Sequence, residues 1–193
     1  MKKIGLTGGI GAGKSTVSKI FDYLGVPVYN SDLVSKNILL HNNNVSKKII
    51  SILGKTILTY NKIDLKKISK IIFNNKEKLN KVNEILHNEV KIDYQNWIKK
   101  QQSKYIVKES AIIYESKIDT TFDKIIFVKC SQKTRIQRII KRDQKDENQI
   151  MDIIKNQLTN EEIIKRCDFT INNEKNYLLI PQILKIHKEI INL

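Results

Sequence analysis

Gly8-Gly9-Ile10-Gly11-Ala12-Gly13-Lys14-Ser15 fits G-x-x-x-x-G-K-[ST], the spacing of a phosphate-binding P-loop. Its flanks agree. Lys3-Ile4-Gly5-Leu6-Thr7 reads as a short buried strand, and Val17, Ile20, Phe21 and Leu24 recur at helical spacing after it. Strand, glycine loop and helix is the context the motif requires. Glycines let backbone N–H groups converge on phosphate oxygens with no Cβ in the way. The following helix N-terminus adds partial positive charge. Lys14 is expected to reach the β- and γ-phosphates, and Ser15 to ligate Mg²⁺. The competing interpretation, a glycine-rich turn that binds nothing, is disfavoured by the agreement of motif and flanks.

Outward from the loop, Gly25 reads as a helix stop, and Val26 to Tyr29, containing Pro27, as a second strand. Asn30-Ser31-Asp32 then fall at its carboxyl end, where open α/β sheets bind ligands. From about residue 33 to 102 the texture changes. Ile49, Ile50, Ile52 and Leu53 suggest one helix, Ile68, Ile71 and Ile72 another, and Leu79, Val82, Leu86, Val90 and Trp97 a long third. Little here looks like strand, so the stretch is expected to be a helical insertion between two parallel strands. Strand patterns return at Tyr105-Ile106-Val107, at Ile125-Ile126-Phe127-Val128 and at Phe169-Thr170-Ile171. An arginine-bearing helix is expected over about Gln132 to Arg142, followed by a polar segment from Asp143 to Gln149. A closing helix is expected from near Pro181, with Ile183, Ile186 and Ile190 on one face. Strands alternating with helices imply an α/β fold: a parallel five-stranded sheet covered on both sides.

The chain of 193 residues is long enough for one domain with insertions. It has no apolar run of about 18 residues, so no membrane span is expected, and its early entry into a strand suggests no signal peptide. Cys130 and Cys167 are too few for a disulfide framework and lack metal spacing. Buried thiols and a cytoplasmic location are the expectation. The net charge of +15 invites a nucleic-acid partner. The lysines, however, are spread along the chain, as solvated faces would be, and the same field would favour polyanionic small substrates.

Three features bear on what kind of P-loop protein this is. Asp32, just past the second strand, could orient or deprotonate an attacking hydroxyl; it could equally cap the next helix. Arg135, Arg138 and Arg142 share one helical face. They could stabilise charge developing in phosphoryl transfer, or simply form a basic surface. Glu109, at the end of the Tyr105 strand, could act as a Walker B carboxylate supporting Mg²⁺, or be an exposed strand-end acid. No Asn-Lys-x-Asp occurs, so nothing recognisable reads guanine. His87 lies inside the long helix and by itself reads as structural or surface rather than catalytic.

These residues resemble the dephospho-coenzyme A kinase family over nearly the whole chain. Ile4 to Thr16 is similar to the family's opening almost residue for residue, and Gly25-Val26-Pro27-Val28-Tyr29-Asn30-Ser31-Asp32 to its G-x-P-V-x-D-A-D. Ile71-Ile72-Phe73 and Ile85-Leu86-His87 fall where the family has I-V-F and L-H-P. Arg138 and Arg142-Asp143 match its lid arginines, Gln157 the Gln of its A-Q-M, and Cys167-Asp168 through Asn173 its A-D-x-x-I-x-N. The departures are specific. Asn30 replaces the first Asp of D-A-D, while Asp32 keeps the second. Glu109 replaces the Asp of D-x-P-L-L-F-E and Ala111 its Pro, with Glu115 retained. Asn88 replaces the Pro of L-H-P, and family arginines fall at Leu65 and Ile153.

The resemblance implies a three-layer P-loop kinase fold with a helical substrate-binding insertion and a lid. Residues 1–32 and 103–193 would form the core, 33–102 the insertion and about 138–165 the lid. It implies that ATP, with Mg²⁺, phosphorylates the 3′-hydroxyl of the dephospho-CoA ribose. Gly8, Gly9, Gly11, Ala12, Gly13, Lys14, Ser15 and Thr16 would bind ATP, with Ser15 on the metal. Asp32, Lys14, Arg138 and Arg142 would be catalytic, and Asp32, His87 and Glu109 would contact substrate. Neither nucleic acid nor membrane is expected as a partner, and the chain is expected to be a monomer or weak homo-oligomer.

Overall fold

The computed structural model describes residues 1–73, 75–144 and 146–193. Lys145, inside the polar segment anticipated at 143–149, and Asn74, inside the anticipated insertion, lie outside them. In chain order, β1 (Lys2–Thr7), α1 (Lys14–Tyr23) and β2 (Val28–Asn30) come first. They are followed by α2 (Ser31–His41), α3 (Asn43–Leu53), β3 (Leu58–Thr59), β4 (Lys62–Ile63), α4 (Leu65–Phe73) and α5 (Lys76–Ile98). Then come β5 (Tyr105–Glu109), β6 (Lys124–Lys129), α6 (Gln132–Asp143), α7 (Glu147–Lys155), α8 (Asn160–Ile164), β7 (Phe169–Asn172) and α9 (Leu179–Asn192). By contact density the chain divides into two units, Met1–Asn30 with Gln101–Leu193, and Ser31–Lys100.

The first unit is built on a five-stranded sheet of order β2-β5-β1-β6-β7, parallel at every pairing. All five residues of β5 are buried, as expected of a parallel strand covered on both faces. The strand period of two sorts β6 between two cores. Ile126 and Val128 join Ile4, Leu6, Val17, Phe21, Ile183 and Ile186 on one side. Ile125 and Phe127 join Ile113, Tyr114 and Ile163 on the other. These layers make the three-layer α/β architecture. A fully buried side chain such as Phe127 contributes about 1.5–3 kcal/mol relative to its exposed state. The second strand starts two residues later than its apolar run suggests. Pro27 has no N–H for the ladder and enters only as an acceptor, its carbonyl taking the Val107 N–H at 3.0 Å.

The second unit is mainly helical. Leu39, Val45, Ile49, Leu53, Ile57, Ile68 and Val82 make its core. Asn42 caps α3 through its side chain, and Asn75 caps α5. The short antiparallel pair of β3 and β4 is a departure from the all-helical expectation. Tyr60 and Asn61 turn it with φ of 50° and 59°, the left-handed pair a two-residue hairpin needs. Without a glycine in the turn, the sequence carries no hairpin signal.

Candidate active site

The loop between β1 and α1 is held from behind as well as shaped by its glycines. Gly13 precedes α1 with φ of 95°, a conformation costly for a side chain. A Cβ there would also strike the Asn173 amide nitrogen. That amide donates to Ala12 O at 2.7 Å. Gly9 lacks a Cβ where the Arg135 guanidinium packs against it. Lys14 is buried and its Nζ donates to Gly8 O at 2.9 Å, so the ammonium lies over the loop. The first turn of α1 has neither a side-chain cap nor an acidic residue. Its N–H groups and dipole therefore remain suited to an anion.

Glu109 is the buried acid of this unit, 2 % exposed. Its Oε1 accepts from Ser15 Oγ at 3.2 Å, and its Oε2 from Ser18 Oγ at 2.7 Å and Asn30 Nδ2 at 2.8 Å. It is therefore not an exposed strand-end acid. Three donors compensate the carboxylate for lost water. Sequence reasoning did not single out Ser18; its signal is the i, i+3 spacing from Ser15 on α1. Ser15 Oγ beside a carboxylate is a pair of hard oxygen donors, which fits Mg²⁺. Among the described residues no cluster of three or more His, Cys, Asp or Glu could hold a metal. A metal held with substrate phosphates, rather than in a protein cage, needs none.

The three arginines of α6 differ in their surroundings. Arg138 donates from Nη1 to Ala12 O at 3.4 Å and from Nη2 to Asn173 O at 3.0 Å. Arg142 is exposed, with Nε and Nη2 on the carboxylate of Asp143 at 2.7 and 2.8 Å. Arg135, which matched no family position, is 5 % exposed. Its Nε donates to Ile10 O and its Nη2 to Gln157 Oε1, both at 2.9 Å. Gln157 Oε1 also accepts the Ile10 N–H at 3.0 Å.

The matched Glu115 and Asp168, and the unmatched Glu174, hold the frame. Glu115 accepts the Leu158 N–H at 3.0 Å. Asp168 takes the Ile125 N–H at 2.8 Å and the Lys124 ammonium at 2.7 Å. Glu174 accepts from Ser131 N and Thr134 Oγ1 at the start of α6, and those bonds, the Ser131 backbone first, pull its carboxyl down to about 2. A cavity of about 600 Å³ is lined by Ser131, Gln132, Arg135, Gln157, Asn160 and Glu174 among others.

In the unit Ser31–Lys100, Asp32 is exposed inside the first turn of α2. A carboxylate there favours the helix dipole. Ser31 beside it is buried, and its Oγ has no hydrogen-bond partner. His87 is exposed on α5. Among the described residues no helix is long and apolar enough to cross a membrane.

A family model described as dephospho-CoA kinase matches residues 2–178. A curated dephospho-CoA kinase of Fusobacterium nucleatum is 43 % identical over 174 residues, covering 90 % of each chain. Among solved structures, dephospho-CoA kinase from Campylobacter jejuni superposes with a TM-score of 0.70 at 28 % identity, covering 98 % of this chain and 97 % of that one. Shikimate kinase from Acinetobacter baumannii shares the fold, with a TM-score of 0.55 at 17 % identity, covering 100 % of this chain and 94 % of that one.

Proposed function

The chain belongs to the dephospho-CoA kinase family, and on that premise we propose that it transfers the γ-phosphoryl group of ATP to the 3′-hydroxyl of the dephospho-CoA ribose, giving CoA and ADP. The observation that carries the reading is the buried Glu109 carboxylate at the foot of α1, bonded to Ser15 and Ser18, in a chain matched by the family model from 2 to 178.

The loop from Gly8 to Thr16 binds the ATP phosphates through backbone N–H groups, and Lys14 neutralises the β- and γ-oxygens. Ser15 and Glu109 are the residues that would hold Mg²⁺, which would offset the charge that develops on the phosphates. Asp32 accepts the proton of the 3′-hydroxyl as its oxygen bonds to the γ-phosphorus. The bond from that phosphorus to the β–γ bridging oxygen breaks, and ADP leaves. Arg138 and Arg142 complement the charge of the transferring group. The helical unit, with His87, binds the CoA-type substrate. The segment from about 138 to 165 acts as a lid that excludes water, the competing nucleophile.

The test is ADP release, coupled to a dehydrogenase readout, with and without dephospho-CoA. Release that depends on dephospho-CoA and yields CoA supports the reading. Release indifferent to it, or a binding response only to DNA that falls steeply with salt, defeats it.

A further inference from the structure

Among the described residues, the only hydrogen-bond partners of the buried Arg135 guanidinium are neutral, Ile10 O and Gln157 Oε1. Among the described residues no carboxylate lies within ion-pair distance of it. Both donors to Gln157, Arg135 Nη2 and Ile10 N, require an acceptor, so the amide oxygen must face them. The Gln157 amide nitrogen makes no protein hydrogen bond among the described residues. A glutamate at this position would therefore accept the same two bonds and sacrifice none, while adding the counter-charge that Arg135 lacks.

Burying a cation without a counter-ion is costly. The cost stands where an anion would relieve it. Gly9 lets the guanidinium pack against the phosphate loop, closer than any side chain there would allow. A buried charge is also screened far less than a surface one.

We propose that Arg135 is a positioning residue for the nucleotide phosphates: held by Gln157, it fixes Ile10 and sets an uncompensated positive charge against the rear of the loop. Gln157, being neutral, keeps that charge available to the ligand. The proposal rests on the reading that this loop holds ATP phosphates.

The test pairs affinity with stability in the Gln157→Glu variant. Mg²⁺-ADP is titrated calorimetrically without dephospho-CoA, and the melting temperature is taken without nucleotide. The variant should melt higher than wild type yet bind ADP about tenfold more weakly, with adenosine binding and the KM for dephospho-CoA unmoved. A higher melting temperature with wild-type ADP affinity would show a merely structural clasp and overturn the proposal. Should that variant not fold, Arg135→Lys and Arg135→Met decide. Arg135→Lys should hold ADP affinity within about threefold, and Arg135→Met should lose about tenfold. Equal losses in both, or none in either, overturn it. A wild-type protein that binds ADP but leaves dephospho-CoA unphosphorylated defeats the proposed function and leaves this test intact.

Discussion

Asn30 Nδ2 donates to Glu109 Oε2 at 2.8 Å, and the two residues are register partners on the parallel strands β2 and β5. The pairing makes physical sense of two departures from the family pattern together. An aspartate at 30 would set a second carboxylate against the buried Glu109. The asparagine amide instead gives that carboxylate a donor. Asn30→Asp should therefore lower the melting temperature at neutral pH, because it removes a donor and sets like charges against each other. A melting temperature equal to that of wild type would show that the Asn30 amide does not support the carboxylate. Glu109→Gln should lower the affinity for Mg²⁺-ATP more than that for metal-free ATP, measured by titration with and without EDTA.

Lys14→Ala should nearly abolish phosphoryl transfer and leave the far-ultraviolet dichroism of wild type. The residue sits at the end of the glycine loop with its ammonium over Gly8, where it would neutralise transition-state charge. Turnover close to wild type in a folded variant would remove Lys14 from the mechanism.

The proposed base is tested by Asp32→Asn. A positioned base contributes about 10²–10⁴-fold in rate. Asparagine keeps the shape of aspartate and cannot take the proton. kcat should fall by that order, with ATP affinity unchanged and the melting temperature within a few degrees. Asn30→Ala should cost far less in kcat. If the main effect of Asp32→Asn is lost stability, the carboxylate serves only the first turn of α2.

Arg138→Ala and Arg142→Ala should separate kinetically. Arg138 ties together the carbonyls of Ala12 and Asn173, so its loss should raise the KM for ATP and lower the melting temperature. Arg142 is exposed against Asp143. Its loss should lower kcat without a shift in melting temperature. Identical, small effects would reduce both to a basic surface.

His187 gives the fold a pH dependence unconnected with the site. Its Nδ1 lies 2.6 Å from the Tyr105 hydroxyl, and burial pushes the imidazole below its ordinary value. A histidine of lowered pKa binds fewer protons folded than unfolded. Its contribution is thus intact above the unfolded value of about 6.5. It is lost as pH falls from there through the folded value. Denaturant titrations between pH 7.5 and 5.5 should show unfolding free energy declining with acidity, and declining less steeply in His187→Gln. Equal slopes would locate the acid sensitivity in other groups.

The phosphate loop, the order along the chain of the five strands of the parallel sheet and the candidate roles of Lys14, Ser15 and Asp32 were legible in the sequence. Each depends on local chemistry: glycines where no Cβ fits, periods of two and 3.6, a lysine and a hydroxyl at fixed spacing. Glu109 was legible only as a position. Its burial and its three donors come from Ser15, Ser18 and Asn30, two of them on a helix that closes over β5 only when the sheet forms. The arginines show the same division. Their shared helical face follows from spacing, but burial follows from what packs on each turn. The tertiary structure put the unmatched Arg135 beneath Gly9 and left the matched Arg142 exposed. The β3–β4 hairpin escaped notice because Tyr60 and Asn61 adopt left-handed backbone without the glycine that would have announced it. The clasp of Arg135, Gln157 and Ile10 joins residues separated by 147 and 125 positions. No local pattern encodes such a meeting; it exists only because β1 and β6 lie side by side in the parallel sheet, bringing the loop after one against the helix after the other.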